Sequence, residues 1–364
     1  MNKLSRLSIV QAFNTILTLA MIVMLSGCAK DYVPKEQEVM DPEADYLTKA
    51  FYPLLERTTL IPASFNYGNT STPVTFSILN IRNAATGEPA SELADKFPVK
   101  IWSQSYTGKE QSLAEIEAKR TTEYHSLFEV RDHAGDFVFW GYPNSSTLVQ
   151  SNPQPGYLFD VKVTNKGGTR YFRGMKLIPG KPIPYTPSNF DHTSGMQLTP
   201  YTTIGGLFNV KGAKTRGYIG SVQVSFHKII PKDNKIPSGT SLTFRFFDTL
   251  YNPIKLSKFN TTKWATLIHG FNPVWKADST SGPKKIDSAM ITYQVAYPIP
   301  LITYPTAYTT SDGTQALAVF SYSRIGFGGL KEDAVINFPF SIYESGDWEV
   351  DFWFKDDVPQ FENN

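Results

Sequence analysis

The chain has 364 residues, with one cysteine, 25 glycines, 25 prolines and 14% aromatic residues. Its 35 Lys+Arg nearly balance its 33 Asp+Glu, which argues against a nucleic-acid binder with its basic excess, and a lone cysteine excludes a disulfide framework. Abundant Gly, Pro, Phe and Tyr predict many short strands joined by turns.

In chain order, Lys3 and Arg6 open a positive segment, and the apolar run 16–25 follows. That run is shorter than the roughly 20 residues a spanning helix needs. Ser26 and Gly27 stand immediately before Cys28. The order positive, apolar, small is that of a secretory signal, predicted over 1–27. Leu25-Ser26-Gly27-Cys28 resembles the lipobox of bacterial lipoproteins, which implies that Cys28 is lipidated and becomes the first residue. An uncleaved anchor with an incidental cysteine is the alternative. A lipid with two or more chains holds a protein stably where one chain does not. Residues 28–45 then read as a flexible tether, polar and aperiodic with two prolines. A chain of that length spans about 20–25 Å.

The first predicted domain covers 46–180. Alternating segments at 72–90, 97–104, 127–140 and 157–177 predict strands, with turns at Thr86-Gly87, at 133–136 and at Lys166-Gly167-Gly168. Ser112 with Glu115 three residues on predicts a helix over 112–120 with a capping box. A Glu115–Lys119 pair is expected on that helix. Five prolines between 179 and 200 predict irregular structure, so 181–200 is taken as a linker. Six further strand segments, 218–230, 240–250, 289–297, 315–325, 334–343 and 347–355, lie within a second domain, 201–364. The fold class expected is all-β, two immunoglobulin-like β-sandwich domains with one short helix inserted in the first.

Catalytic motifs are absent from the sequence: no His-Glu-x-x-His, no Gly-x-Ser-x-Gly, no phosphate or dinucleotide loop. The glycine-rich 326–330 segment, GFGGL, follows a strand without a helix behind it and reads as a turn or bulge. The five histidines, His125, His133, His192, His227 and His269, show no metal-ligand spacing, so no metal and no cofactor are expected. His227 lies in a strand pattern and reads as structural. With 33 carboxylates, sequence alone nominates no acid–nucleophile pair. A non-enzyme is expected, with a hydrolase as a lesser alternative.

Tryptophans carry more information. Alternation puts Trp102 on the face of Lys100 and Gln104, opposite Val99 and Ile101. It puts Trp348, Val350, Phe352 and Phe354 on one apolar face, with Trp353 opposite beside Glu349, Asp351 and Lys355. Trp275 stands just before a polar loop. Aromatic faces stack on sugar rings, so Trp102, Trp275 and Trp353 are the candidate ligand-binding residues. The competing reading is that these faces pack against the other domain or a partner protein.

The lipobox, the segments FYPLLERTTLIPASFN (51–66) and PVKIWSQSYTGKEQSLAEIEAKRTTEYHSLFEVRDHAGDF (98–137), and GYLFDVKVTNKGGTRYF (156–172) together resemble an uncharacterised lipoprotein family of Bacteroidota encoded in SusC/SusD-type nutrient-uptake loci. The resemblance implies an outer-membrane lipoprotein, anchored by its lipid and facing the exterior, beside a SusC/SusD-like transporter. Glycan binding without catalysis is the function it favours. A structural or assembly subunit of the transporter complex, or a peptide binder, is the alternative. The resemblance supplies no catalytic residues.

Overall fold

The computed structural model of the protein describes residues 38–62, 64–229, 239–276 and 288–364. The predicted signal, Cys28 and most of the predicted tether lie outside the described residues.

The first unit contains strands β1 (Asp45–Tyr46), β2 (Ala50–Phe51), β3 (Thr59–Ile61), β4 (Phe65–Asn66) and β5 (Thr75–Asn83). Helix α1 (Ser91–Ala94) precedes β6 (Lys96–Trp102), and helix α2 (Leu113–Ala118) precedes β7 (Arg120–Ser126). Strands β8 (Phe128–Val130), β9 (Phe137–Phe139), β10 (Tyr157–Asn165) and β11 (Gly168–Leu177) complete it. The sheet β2-β11-β10-β5 faces the smaller sheet β3-β9-β8. Phe128 and Phe137 from the small sheet meet Phe159 of β10 edge-on at 4.9 and 5.6 Å. These aromatics sit at the inward positions of the alternating pattern, which is why the pattern forms a sandwich rather than a helix.

The β8–β9 and β10–β11 hairpins fall where the sequence predicts them, with Asn165 opposite Gly168 at the second turn. Helix α2 also forms, and Ser112 caps it by accepting from the Glu115 N–H. Its charge pattern differs from expectation. Glu115 accepts from the Gln111 N–H at 2.8 Å, and Lys119 pairs with the buried Glu110 instead of Glu115. Burying Glu110 demands a cation more strongly than the exposed helix face does.

The end of the predicted tether is bound, not free. Asp41 is buried; its Oδ2 accepts from Asn69 N–H at 2.6 Å and its N–H donates to Thr70 Oγ1 at 3.1 Å. Asn165 donates to the Val39 carbonyl, and Lys166 pairs with Glu38. Residues 38–45 are therefore strapped onto the first unit at its β10–β11 turn.

The second unit contains β12 (Tyr185–Thr186), β13 (Thr202–Ile204), β14 (Leu207–Phe208), β15 (Val222–Lys228) and β16 (Thr240–Phe247). It continues through β17 (Phe271–Lys276), β18 (Met290–Gln294), β19 (Ala316–Ile325), β20 (Lys331–Ile342) and β21 (Gly346–Trp353). All six strand segments predicted here are strands. One sheet runs β13-β15-β21-β16-β18-β17; the other is β12-β20-β14 with β19 on the far side of β20. Phe320 and Phe338 of the second sheet pack on Phe352 of the first at 5.2 and 4.9 Å. The all-β sandwich expectation holds.

The predicted linker is part of this second core. Tyr185 pairs in β12 with Ile342 of β20 and stacks on Phe226 at 4.1 Å. Ile183 and Tyr185 are buried. Proline denies the segment long regular structure, but a two-residue strand and large apolar side chains suffice to bind it.

The two cores are separate clusters, one of residues 44–177 and one of residues 185–354. The α2 region of the first unit bridges them. Arg120 donates to the Tyr297 carbonyl at 3.0 Å, and Arg57 lies over the Tyr343 ring at 4.4 Å. Tyr343 follows the end of β20, so the β19–β20 turn is at the opposite end of the second sandwich from this junction. The strap at Glu38 is likewise at the end of the first unit that is remote from it.

Candidate functional site

The three candidate tryptophans occupy three different environments. Trp102 is half-buried at the junction. The Arg120 guanidinium lies 4.6 Å over its ring and Tyr106 packs at 5.3 Å. Tyr106 in turn hydrogen-bonds His269 Nδ1 of the second unit, and His269 Nε2–H donates to the Glu110 carbonyl at 2.9 Å. Trp102 thus supports the contact between units. Trp275, in edge strand β17, is half-buried against the second core and meets Trp264 edge-on at 5.6 Å. Only Trp353 lies on an outer sheet face.

That face belongs to the six-stranded sheet. Strand β21 is central, antiparallel to β15 and parallel to β16. Because alternate side chains share a face, Asp347, Glu349, Asp351 and Trp353 form one outward row while Trp348, Val350 and Phe352 enter the core. Registration brings His227 opposite Glu349 and Gln223 opposite Trp353 from β15, and Thr243, Arg245 and Phe247 from β16. The loop after β16 folds back, and Tyr251 at φ +63° stacks on Phe247 at 4.2 Å. A non-glycine residue in the left-handed region is uncommon and marks a constrained position. Here it stands Tyr251 edge-on to Trp353 at 5.6 Å, with the residue 47% exposed. Tyr251 and Trp353 make an aromatic wall at the end of the row, and Lys355 Nζ lies 5.9 Å over the Trp353 ring.

The electrostatics of the row centre on Asp351, which is only 4% exposed. Its Oδ2 accepts from Tyr251 Oη–H at 3.3 Å and lies 3.6 Å from His227 Nε2. Its carboxyl group also shares a side-chain hydrogen bond with Glu349, which requires a proton on one of the two groups. Arg245 Nη1 donates to Glu349 Oε1 at 3.1 Å. Burial, reinforced by the negative charge of Glu349, pushes the Asp351 carboxyl up to about 7; Arg245 and the Tyr251 hydroxyl oppose the rise without cancelling it. Gln223 Oε1 and Trp353 Nε1, opposite each other in register, are buried without partners among the described residues. Such a concentration of unmet polar atoms is unusual for a face whose only task is to be wetted.

A second concavity, a cleft of about 680 Å³, runs along the edge strand β5 and is lined by Ile78, Ile81, Arg82, Pro89, Ala94 and Asp160 among others. Its one buried carboxylate is fully committed. Burial would raise Asp160, but Asn80, the Gly174 N–H and Arg82 outweigh it and hold it below the usual carboxylate range. These bonds fix the bulge where β5 shifts register on β10, a structural task. No cluster of metal-ligating residues occurs among the described residues.

Sequence reasoning found Trp353 and its acidic neighbours but missed Arg245, Tyr251 and Gln223. Alternation in TSLTFRFF (240–247) puts Arg245 on a polar face, a signal present in the sequence. The parallel pairing of β16 with β21, which brings that face to Asp351, has no local signature.

Residues 65–363 match the family described as a domain of unknown function, DUF5007. Neither the curated proteins nor the solved structures contain a match to the chain.

Proposed function

We propose that this chain, which belongs to the DUF5007 family, is a lipid-anchored, non-catalytic glycan-binding protein of a Bacteroidota nutrient-uptake system. Cys28 would carry the lipid in the outer membrane, with the body facing outward beside a SusC/SusD-like transporter. The observation that carries the binding reading is the outer face of the six-stranded sheet. There an aromatic wall, exposed Tyr251 and half-buried Trp353, stands beside Arg245, Glu349, Asp351 and His227. Aromatic faces take the C–H faces of sugar rings, and polar groups beside them fix orientation.

The placement suits capture at a cell surface. Tyr251 follows the end of β16 and Trp353 is the last residue of the parallel strand β21; both strands start near the junction. The chain enters the described structure at Glu38, at the far end of the first unit. A lipid at Cys28 would leave the aromatic wall on the side away from the membrane. Weak single-site affinity suffices for a polymer held at several points.

Native affinity electrophoresis of the protein in gels containing soluble plant, host and microbial polysaccharides tests this. Retardation by one polymer, lost in Tyr251→Ala and retained in Trp275→Ala, supports the reading. Mobility unchanged by every polymer overturns it.

A second reading, an assembly subunit of the transporter complex, draws on one feature. The β19–β20 turn presents Phe327, 91% exposed, and Leu330, 73% exposed, at the end remote from the junction. Apolar residues so placed suit a protein partner. Loss of transporter co-purification in Phe327→Ser/Leu330→Ser would favour this reading.

A further inference from the structure

Charge is nearly balanced over the whole chain, 35 Lys+Arg against 33 Asp+Glu, but not over the large sheet of the first unit. Strands β5, β10 and β11 carry Arg82, Lys162, Arg170, Arg173 and Lys176 and a single carboxyl group, Asp160. Pairing and alternation sort these residues by face. Tyr157, Phe159, Val161, Val163 and Phe172 enter the core. Lys162 and Tyr171, opposite each other, therefore lie on the outer face, as do Leu158 and Lys176, with Arg82 across from Leu158. Arg173 is exposed in the bulge between these two rows.

Two of the cations are committed. Arg170 donates to the carbonyls of Asp41 and Ala44 in the strap, and Arg82 pairs with Asp160. The side chains of Lys162, Arg173 and Lys176 make no hydrogen bond or ion pair among the described residues. Tyr171, 54% exposed, stands among them. Uncommitted cations around an exposed tyrosine on an open sheet face fit an anionic membrane surface, where basic side chains meet lipid phosphates and tyrosine favours the interface.

The strap sets how far away that surface can be. Glu38 pairs with Lys166 in the β10–β11 turn, and Asn165 donates to the Val39 carbonyl. Along β10 from Asn165, Lys162 lies about 10 Å away and Leu158 about 23 Å, at the rise of a strand. Cys28 and Glu38 are ten positions apart, and a chain of that length reaches at most about 35 Å. A lipid on Cys28 keeps both rows within that reach of the bilayer.

We propose that the outer face of this sheet docks on the anionic phosphates of the lipid headgroups around the anchor, with Lys162, Arg173 and Lys176 at the phosphates and Tyr171 at the interface. This rests on the lipid-anchored reading given above. Each basic residue at an anionic membrane surface strengthens association about fivefold, and the anchor holds the face where the contact can form. The contact is sensitive to salt, because the groups involved are exposed. The second unit joins at the end remote from the strap, so the aromatic wall stays clear of the anchor.

The native protein, purified from membranes with its lipid, is placed on vesicles. Flotation with phosphatidylcholine vesicles reads the anchor, and the rate of lysine acetylation, followed by mass spectrometry, reads the docking. On vesicles with about 30% phosphatidylglycerol, Lys176 should be acetylated at least about threefold more slowly than on phosphatidylcholine alone. Lys331, at the far turn of the second unit, should react equally on both. Salt at about 1 M should abolish the difference. In Lys162→Gln/Arg173→Gln the protection of Lys176 should be lost while the protein still floats. Equal acetylation of Lys176 on the two vesicle types, with flotation intact, overturns the docking inference and leaves the anchor standing; slowing of Lys176 by a soluble anionic polysaccharide alone overturns it in favour of that ligand. Flotation only with the anionic vesicles, lost in the double variant, overturns the anchor and supports the docking. Flotation with neither overturns both.

Discussion

Replacing Asp351 with asparagine isolates the cost of burying this carboxyl group. Asparagine keeps the size and an oxygen that can accept from the Tyr251 hydroxyl, and it carries no charge. Asp351 is raised from 3.8 to about 7 in the folded protein. At about 1.4 kcal/mol per pH unit, that amounts to about 4 kcal/mol. The sign is set by the direction of the shift. The folded state holds this proton over a pH range in which the unfolded chain has released it. The stability contributed by the neutral form is therefore complete below pH 3.8 and is lost as pH rises to about 7. The gain from Asp351→Asn should grow by about 2–3 kcal/mol between pH about 5 and pH about 8. Asp41, Asp160 and Asp357 are held low by hydrogen bonds; they lose stability only at more acid pH and drop out of the comparison. Urea unfolding of both proteins, followed by tryptophan fluorescence at the two pH values, measures the difference. A variant no more stable than the parent at the higher pH, or a gain that does not change with pH, would refute the reasoning.

Other expectations concern the junction, the turn and the anchor. Trp102→Ala should cost about 3 kcal/mol, because it removes a large ring beneath Arg120, and should leave polysaccharide retardation unchanged; a retardation defect in a folded variant would place Trp102 in the site instead. Glu110 is drawn down to about 2: burial would raise it, but bonds from Lys119 and Thr107 prevail. Its contribution is present above pH 4.5 and lost as pH falls through about 2, and Glu110→Gln should cost about 3 kcal/mol in neutral urea melts. Phe327→Ser/Leu330→Ser should alter stability by less than about 0.5 kcal/mol, since both side chains face water; a larger loss in the same melts would mean that the turn packs on the body. Cys28→Ser should move the protein from the membrane fraction to the soluble fraction on cell fractionation, and retention in the membrane would contradict lipid anchoring.

What the sequence discloses follows the range of the interactions involved. Alternation and turn residues are local, so the hairpin at Asn165–Gly168 and the core-facing set Trp348, Val350 and Phe352 could be read directly. The helix cap at Ser112 is equally local. The strap at Asp41 and the docking of Tyr185 were misread because their partners lie elsewhere: Asn69 and Thr70 for the first, Phe226 and Ile342 for the second. A polar or proline-rich segment looks unstructured until those partners are known. Trp102 illustrates the same limit. Its place on a polar face was legible, but the second unit that engages its neighbours Tyr106 and Arg120 was not. Of the candidate face, the row along β21 was legible. Its wall depends on Tyr251 turning back onto Phe247, and its charge balance depends on a parallel pairing between strands about a hundred residues apart.

The central claim is that the face carrying Tyr251 and Trp353 holds the ligand. Its most direct test is calorimetric titration of the protein and of Tyr251→Ala/Trp353→Phe with an oligosaccharide cut from the retarding polymer. The account predicts that affinity falls at least about tenfold in the double variant, equivalent to about 1.4 kcal/mol, with unfolding otherwise unchanged. An unchanged dissociation constant in a folded double variant would contradict it and move the site elsewhere on the molecule.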